Sequence, residues 1–188
     1  MKEITNYLFE TGMLKRVKRS GWWICKIKNP ESVAEHSYRT AVVTFLLAKL
    51  ENESDESAQK LATAAIFHDM HETRILDLHK IVARYIDGKE GAKNAQEDQI
   101  KNLPQLIQNS LKRVITKLNN KERMILKDAD LLEMGLQAKE YIEIGYTDAE
   151  DWIKNVEKKL KTKSAKRLIK EIKRTDSNEW YRGLKKLK

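Results

Sequence analysis

His68 and Asp69 stand side by side at the end of the apolar run Leu61-Ala62-Thr63-Ala64-Ala65-Ile66-Phe67, so two ligand-type side chains close what reads as a buried helix. A second imidazole, His36, lies 32 residues before His68, and a carboxylate, Asp130, lies 61 residues after Asp69. Two imidazoles and two carboxylates brought to one point would bind a divalent transition ion and neutralise its charge. A carboxylate left unpaired there would carry a heavy burial cost, which a metal or an ion pair removes. Asp128 competes with Asp130 for the fourth place. Two residues apart on a helix they point about 200° apart, so both cannot face one ion. The neighbours of Asp130 four residues either way, Leu126 and Met134, put it on the inward face.

The elements that must position these groups read as helices. Only seven glycines and two prolines punctuate 188 residues, and no long stretch alternates Val and Thr, so strands have little support. Tyr7, Leu8, Met13, Leu14 and Val17 suggest a short amphipathic first helix. After the turn Asn29-Pro30-Glu31-Ser32, a helix is predicted from Val33 to Leu50, with Ala41, Val42, Phe45, Leu46 and Leu50 facing the core. Ser54-Asp55-Glu56-Ser57 starts the next, which runs to about Met70. Further helices are expected over His79 to Ile86, Ala95 to Leu118 with an interruption near Pro104, Lys121 to Ile144, Asp148 to Leu160 and Ala165 to Arg174. Gly88 to Lys93 reads as a mobile loop. The expected fold is all-α, a single-domain bundle of about seven to nine helices. The site core covers about residues 14–144, and a basic helical extension covers about residues 148–188.

One cysteine, Cys25, excludes an internal disulfide framework and a Cys-type zinc cluster. No apolar run reaches the roughly 18 residues of a spanning helix, and the amino terminus lacks a signal-peptide core. A cytoplasmic protein is expected. The net charge of +9 is uneven: residues 154–188 carry 14 Lys or Arg against 4 Glu or Asp. Solvated helix faces account for this, with contact to nucleic acid as the alternative. Trp180 and Tyr181 are the tail's two aromatics, and it holds no nucleic-acid-binding motif.

Three segments together carry a closer likeness. They are Arg16-Val17-Lys18-Arg19-Ser20-Gly21-Trp22, Pro30-Glu31-Ser32-Val33-Ala34-Glu35-His36-Ser37-Tyr38-Arg39 and His68-Asp69-Met70-His71-Glu72. With them, the chain from about Leu14 to Ile144 resembles the YfbR-like branch of the HD-domain metal-dependent phosphohydrolases. That branch holds bacterial nucleoside 5′-monophosphate phosphatases and eukaryotic relatives.

The resemblance implies that His36, His68, Asp69 and Asp130 hold one divalent metal (Mn, Co, Fe, Ni or Zn), which polarises a phosphoryl oxygen and activates water. It implies catalytic roles for Glu72 and Asp77. The spacing of Glu72, three and four residues after Asp69 and His68, also puts it on their face if the helix continues. Arg19 and Trp22 match a substrate-contacting loop: the guanidinium suits phosphate and the indole suits a base, with Trp23 as the other stacking candidate. Glu31 and Arg39 fall at the site's edge.

The implied activity is release of phosphate from nucleoside 5′-monophosphates, with deoxynucleotides favoured, by a homodimer. A phosphodiesterase, a guanosine-tetraphosphate hydrolase, a nucleic-acid-binding bundle and an idle scaffold remain alternatives. One departure stands out: Leu76 precedes Asp77 where relatives commonly carry Gly, in a loop expected to border the sugar. His79 lies in the same loop.

Overall fold

The computed structural model describes residues 1–184. The last four residues of the expected basic extension, 185–188, lie outside the described residues. Nine α-helices and no strand occur among the described residues. They are α1 (Lys2–Thr11), α2 (Val33–Leu50), α3 (Asp55–Phe67), α4 (Glu72–Ile75), α5 (Gly88–Ile100), α6 (Gln105–Thr116), α7 (Asn120–Glu143), α8 (Glu150–Lys159) and α9 (Lys163–Arg174). The first turns are set by local chemistry. Ser32 and Glu35 form a capping box on α2, and Asn119 and Glu122 form one on α7. Ser54 caps α3 through the Ser57 backbone N–H.

α2, α3 and α7 pack together as the centre of the bundle, and α8 and α9 close over α7. The main core runs through Leu47, Leu61, Ile125, Leu132, Val156 and Ile169, all almost fully buried. Ile153, Val156, Leu160, Ala165 and Ile169 belong to it, so the carboxy-terminal helices bury an apolar face and turn their lysines outward. α9 comes close enough to α7 that a Cβ at Gly135 would meet Ile169 Cδ1 at 2.9 Å. Asp128 is 1% exposed and points away from the site. Its carboxylate accepts the Lys161 and Thr162 backbone N–H groups at 2.6–3.1 Å, tying α7 to the start of α9.

Three expectations change. The buried face of α2 carries His36, Ser37, Thr40, Ala41, Thr44, Leu47 and Ala48. Ala41 is buried as expected, but Val42, Phe45, Leu46 and Leu50 are exposed. Small and hydroxylated residues let α3 and α7 approach, and Thr44 satisfies its own hydroxyl on the Thr40 carbonyl, so hydropathy alone selects the wrong face. The helix expected over His79 to Ile86 shrinks to a single 3₁₀ turn, Val82–Arg84. The loop expected over Gly88 to Lys93 is the first half of α5, because Asp87 caps the Lys89 and Glu90 backbone N–H groups. The break near Pro104 is present, between α5 and α6.

Leu76 explains why the chain after α4 cannot stay helical. Its backbone sits at φ 64°, ψ 171°, a region that glycine occupies and a branched side chain resists. The leucine side chain is 55% exposed and returns little burial. Leu76→Gly is expected to raise stability by about 1 kcal/mol, the relieved strain exceeding the entropy glycine adds to the unfolded chain. A lower urea midpoint for Leu76→Gly would contradict this.

Candidate metal centre and cleft

Three elements deliver four side chains to one point. α2 presents His36 one turn after its cap, α7 presents Asp130 near its middle, and the turn after α3 presents His68 and Asp69. His36 Nε2 lies 3.3 Å from Asp130 Oδ1 and 3.7 Å from Asp69 Oδ2. His68 Nε2 lies 3.1 Å from Asp69 Oδ2. His36 is fully buried, and the other three side chains are 15–18% exposed. The ligand atoms of His36, His68 and Asp130 lie within 4.8 Å of one another, close enough to share one ion.

The imidazoles are oriented from behind. His68 Nδ1 lies 2.6 Å from the Ala65 carbonyl, which fixes the proton on that nitrogen and leaves Nε2 as the lone pair. His68 Nε2 is buried and has no hydrogen-bond partner, since Asp69 is near but out of line. Such an orphaned lone pair, set beside two carboxylates, fits the chemistry of a metal ligand. His36 Nδ1 bonds the fully buried Glu133, which Arg39 Nε holds in turn at 3.0 Å. Glu133 is a group that sequence reasoning missed; its position three residues after Asp130, one turn along α7, was the available signal.

The charges are tightly balanced. Burial and Arg19 oppose a proton on His36, but Asp130 and Glu133 outweigh them and lift it to about 10. Burial likewise opposes a charged His68, and Asp69 and Asp130 raise it. Burial would raise both aspartates, yet His68, Arg19 and His36 hold Asp69, and His36 and Lys127 hold Asp130, well below the usual carboxylate range. A divalent cation would take the place of the imidazole protons, so its binding would release protons and tighten as pH rises.

The remaining expected site residues divide. Arg19 NH1 sits 3.1 Å from Asp77 and 3.8 Å from Asp69. Asp77 is held by the Ser20 backbone N–H at 2.5 Å and by the Ser20 hydroxyl at 3.0 Å. Glu72 is 7% exposed, and its Oε2 has no partner. Burial, then Asp69 and Asp77, push it to about 9. Glu72 opens onto a second hollow of about 690 Å³ beyond the Leu76 turn, which His71 also lines.

Trp22 is more deeply packed than a freely stacking side chain. It is 2% exposed, donates Nε1–H to Glu31 at 2.9 Å and stacks on Trp152 with centroids 5.6 Å apart. It nonetheless lines the cleft, so what its indole offers a ligand is a narrow edge beside Trp152. Trp23 is exposed but does not line the cleft. Glu31 and Arg39 line a separate hollow of about 440 Å³ behind His36. His79 lines the cleft beside Asp77.

The cleft itself is about 530 Å³, a size suited to a small organic ligand. Arg19, Asp69, Asp77 and Asp130 form its polar end; Leu131, Met134 and Trp152 form an apolar wall. The α8 part of this wall carried no motif and could not be read in advance.

Comparison with known proteins agrees with this geometry. A family model described as HD domain matches residues 11–173. The 5′-deoxynucleotidase HDDC2 of Bos taurus is 32% identical over 147 residues, covering 74% of this chain and 68% of that protein. A crystal structure solved as a genomics target superposes with a TM-score of 0.80 at 36% identity, over 96% of this chain and 99% of the other. At 14% identity, the HD phosphohydrolase DatZ of cyanophage S-2L, solved with dA and one catalytic Zn²⁺, shares the fold alone, with a TM-score of 0.60 over 89% of this chain and 96% of its own. With a matching model across most of its length and a relative of this similarity, the chain belongs to the HD domain family.

Proposed function

We propose that this protein is a metal-dependent phosphohydrolase that releases inorganic phosphate from nucleoside 5′-monophosphates, deoxynucleotides foremost. The observation that carries the reading is the buried convergence of His36, His68, Asp69 and Asp130, with His68 Nε2 unpartnered, at the polar end of a nucleotide-sized cleft. The names of the similar proteins point the same way.

These four residues would hold one divalent ion. Mixed nitrogen and oxygen ligands suit Mn, Co, Fe, Ni or Zn. When bound, the ion supplies Lewis-acid polarisation of the phosphoryl group and eases deprotonation of water. Arg19, aimed by Asp77, would hold phosphate oxygens through its fork. Water adds to phosphorus, the P–O5′ bond breaks, and the 5′-oxygen leaves with a proton. Glu72 and Asp77 would move these protons: Glu72, whose carboxyl lies within 4.8 Å of the Asp69 carboxylate, at the water, and Asp77 at the leaving oxygen. Glu133 would keep His36 Nε2 on the ion by holding its other nitrogen.

Asp69→Ala removes one ligand, and phosphate release from deoxynucleoside 5′-monophosphates with added Mn²⁺, Co²⁺ or Zn²⁺ is expected to fall by about 10³-fold or more, a scale set by loss of the metal's contribution. Full activity in Asp69→Ala, or no release by the parent protein with any metal, would reject the proposed reaction.

A second copy of the chain would cover the outer stripe of α2. Tyr38, Val42, Phe45, Leu46 and Leu50 recur at helical spacing and are 37–73% exposed, a patch that a soluble monomer rarely leaves bare. The protein should sediment as a dimer, and Phe45→Asp should shift it to monomer. A monomeric parent protein at micromolar concentration would contradict this. A single, buried cysteine suits a reducing compartment such as the cytoplasm.

A further inference from the structure

The far end of the cleft holds a charge pair that the proposed reaction leaves unused. Lys80 follows His79 in the loop after Asp77, and Lys159 ends α8; both line the cleft. Every carboxylate lining that cleft is already engaged: Asp77 by Arg19 and Ser20, Asp69 by His68, and Asp130 by His36 and Lys127. Lys127 is thereby neutralised at 2.7 Å. Lys80 and Lys159 make no ion pair among the described residues. They share the lining of one cleft instead, and the neighbouring Lys80, then burial, draw Lys159 down to about 8.

Both lysines stay exposed to solvent while lining the cleft, and no acidic side chain neutralises either one among the described residues. Their convergence on one cavity creates a place where an anion would be stabilised. α8 supports this from the same face. Trp152, Asn155, Val156 and Lys159 follow at i, i+3, i+4 and i+7, so one helix face offers the cleft an aromatic ring, an amide and a cation.

We propose that Lys80 and Lys159 form a second anion subsite, which selects nucleotides carrying another phosphate on the sugar besides the 5′-phosphate removed at the metal centre. The substrate class is a nucleoside 3′,5′-bisphosphate or the 5′-phosphorylated end of a short oligonucleotide. This rests on the proposed phosphohydrolase reading for the position of the 5′-phosphate.

The test titrates the full-length protein as purified, without added metal, with three ligands. They are deoxyadenosine 5′-monophosphate, deoxyadenosine 3′,5′-bisphosphate and the 5′-phosphorylated dinucleotide pdApdA. The bisphosphate is expected to bind about tenfold tighter than the monophosphate, as two charge-assisted contacts would give. Lys80→Ala and Lys159→Ala should each bring that ratio toward one, and Lys159→Arg should keep it. A preference shared by the dinucleotide identifies a phosphodiester as the recognised group, and a preference confined to the bisphosphate identifies a free nucleotide; both support the subsite. Equal affinities in the parent protein, or a ratio that both alanine variants leave intact, overturn it. Phosphate release from the same ligands with added Mn²⁺ separates the two claims. Tight, selective binding without hydrolysis would reject the reaction and leave the subsite, whereas hydrolysis without selectivity would do the reverse.

Discussion

Desolvation of charge at the crossing of α2, α3 and α7 is the constraint on which the rest of this structure depends. An imidazole with no solvent contact faces Asp130 on one side and Glu133 on the other. Such groups are tolerated in a low-dielectric interior only when each charge has a partner and each partner is itself satisfied. The chain meets this by extending the network outward. Glu133 is held by Arg39, Arg39 by Gln137 and Glu140, and Asp130 by Lys127. The polar inner face of α2 follows from the same demand. His36 needs room for carboxylates from two neighbours, so small residues line the approach and the bulky apolar ones face outward.

The all-α fold was legible in the sequence, and so was the gathering of the expected ligand side chains; which helix faces pack inward was not. His68 and Asp69 announced themselves because a polar pair closing an apolar run is costly without a reason. Helix geometry with the apolar neighbours Leu126 and Met134 separated Asp130 from Asp128, and the two do part: one lies beside His36, the other on the backbone of Lys161 and Thr162. What escaped reading depended on partners distant in sequence. Nothing local in Trp22 says that its indole would be spent on Glu31 and Trp152. Nothing in residues 150–159 says that one face of α8 would line the cleft. Phe45 and Leu46 misled because apolarity marks a buried face whether the burying surface lies within the chain or on another molecule.

The short segment from Glu72 to Lys80 joins the two ends of the cleft. It begins with a buried, partnerless carboxyl, passes through the strained backbone of Leu76, is pinned at Asp77 by Ser20 and Arg19, and ends at the lysine that lines the cleft with Lys159. The positive φ at Leu76 turns the chain out of α4 and brings Asp77 under Arg19. A helical continuation would carry Asp77 away from that contact. Strain at this turn is therefore retained where it aims a guanidinium into the cleft. The basic carboxy-terminal fifth fits the same arrangement, since α8 and α9 bury their apolar face on α7 while Lys159 alone of their lysines lines the cleft.

The central claim is that one divalent ion sits among His36, His68, Asp69 and Asp130. Anomalous diffraction from crystals grown with Mn²⁺ or Zn²⁺, collected on both sides of the metal's absorption edge, tests it most directly. The account predicts a single anomalous peak within about 2.0–2.3 Å of His36 Nε2, His68 Nε2 and one oxygen of each aspartate, distances ordinary for such ligands. A peak held instead by Glu31, His36 and Glu133, or no peak at saturating metal, would contradict it.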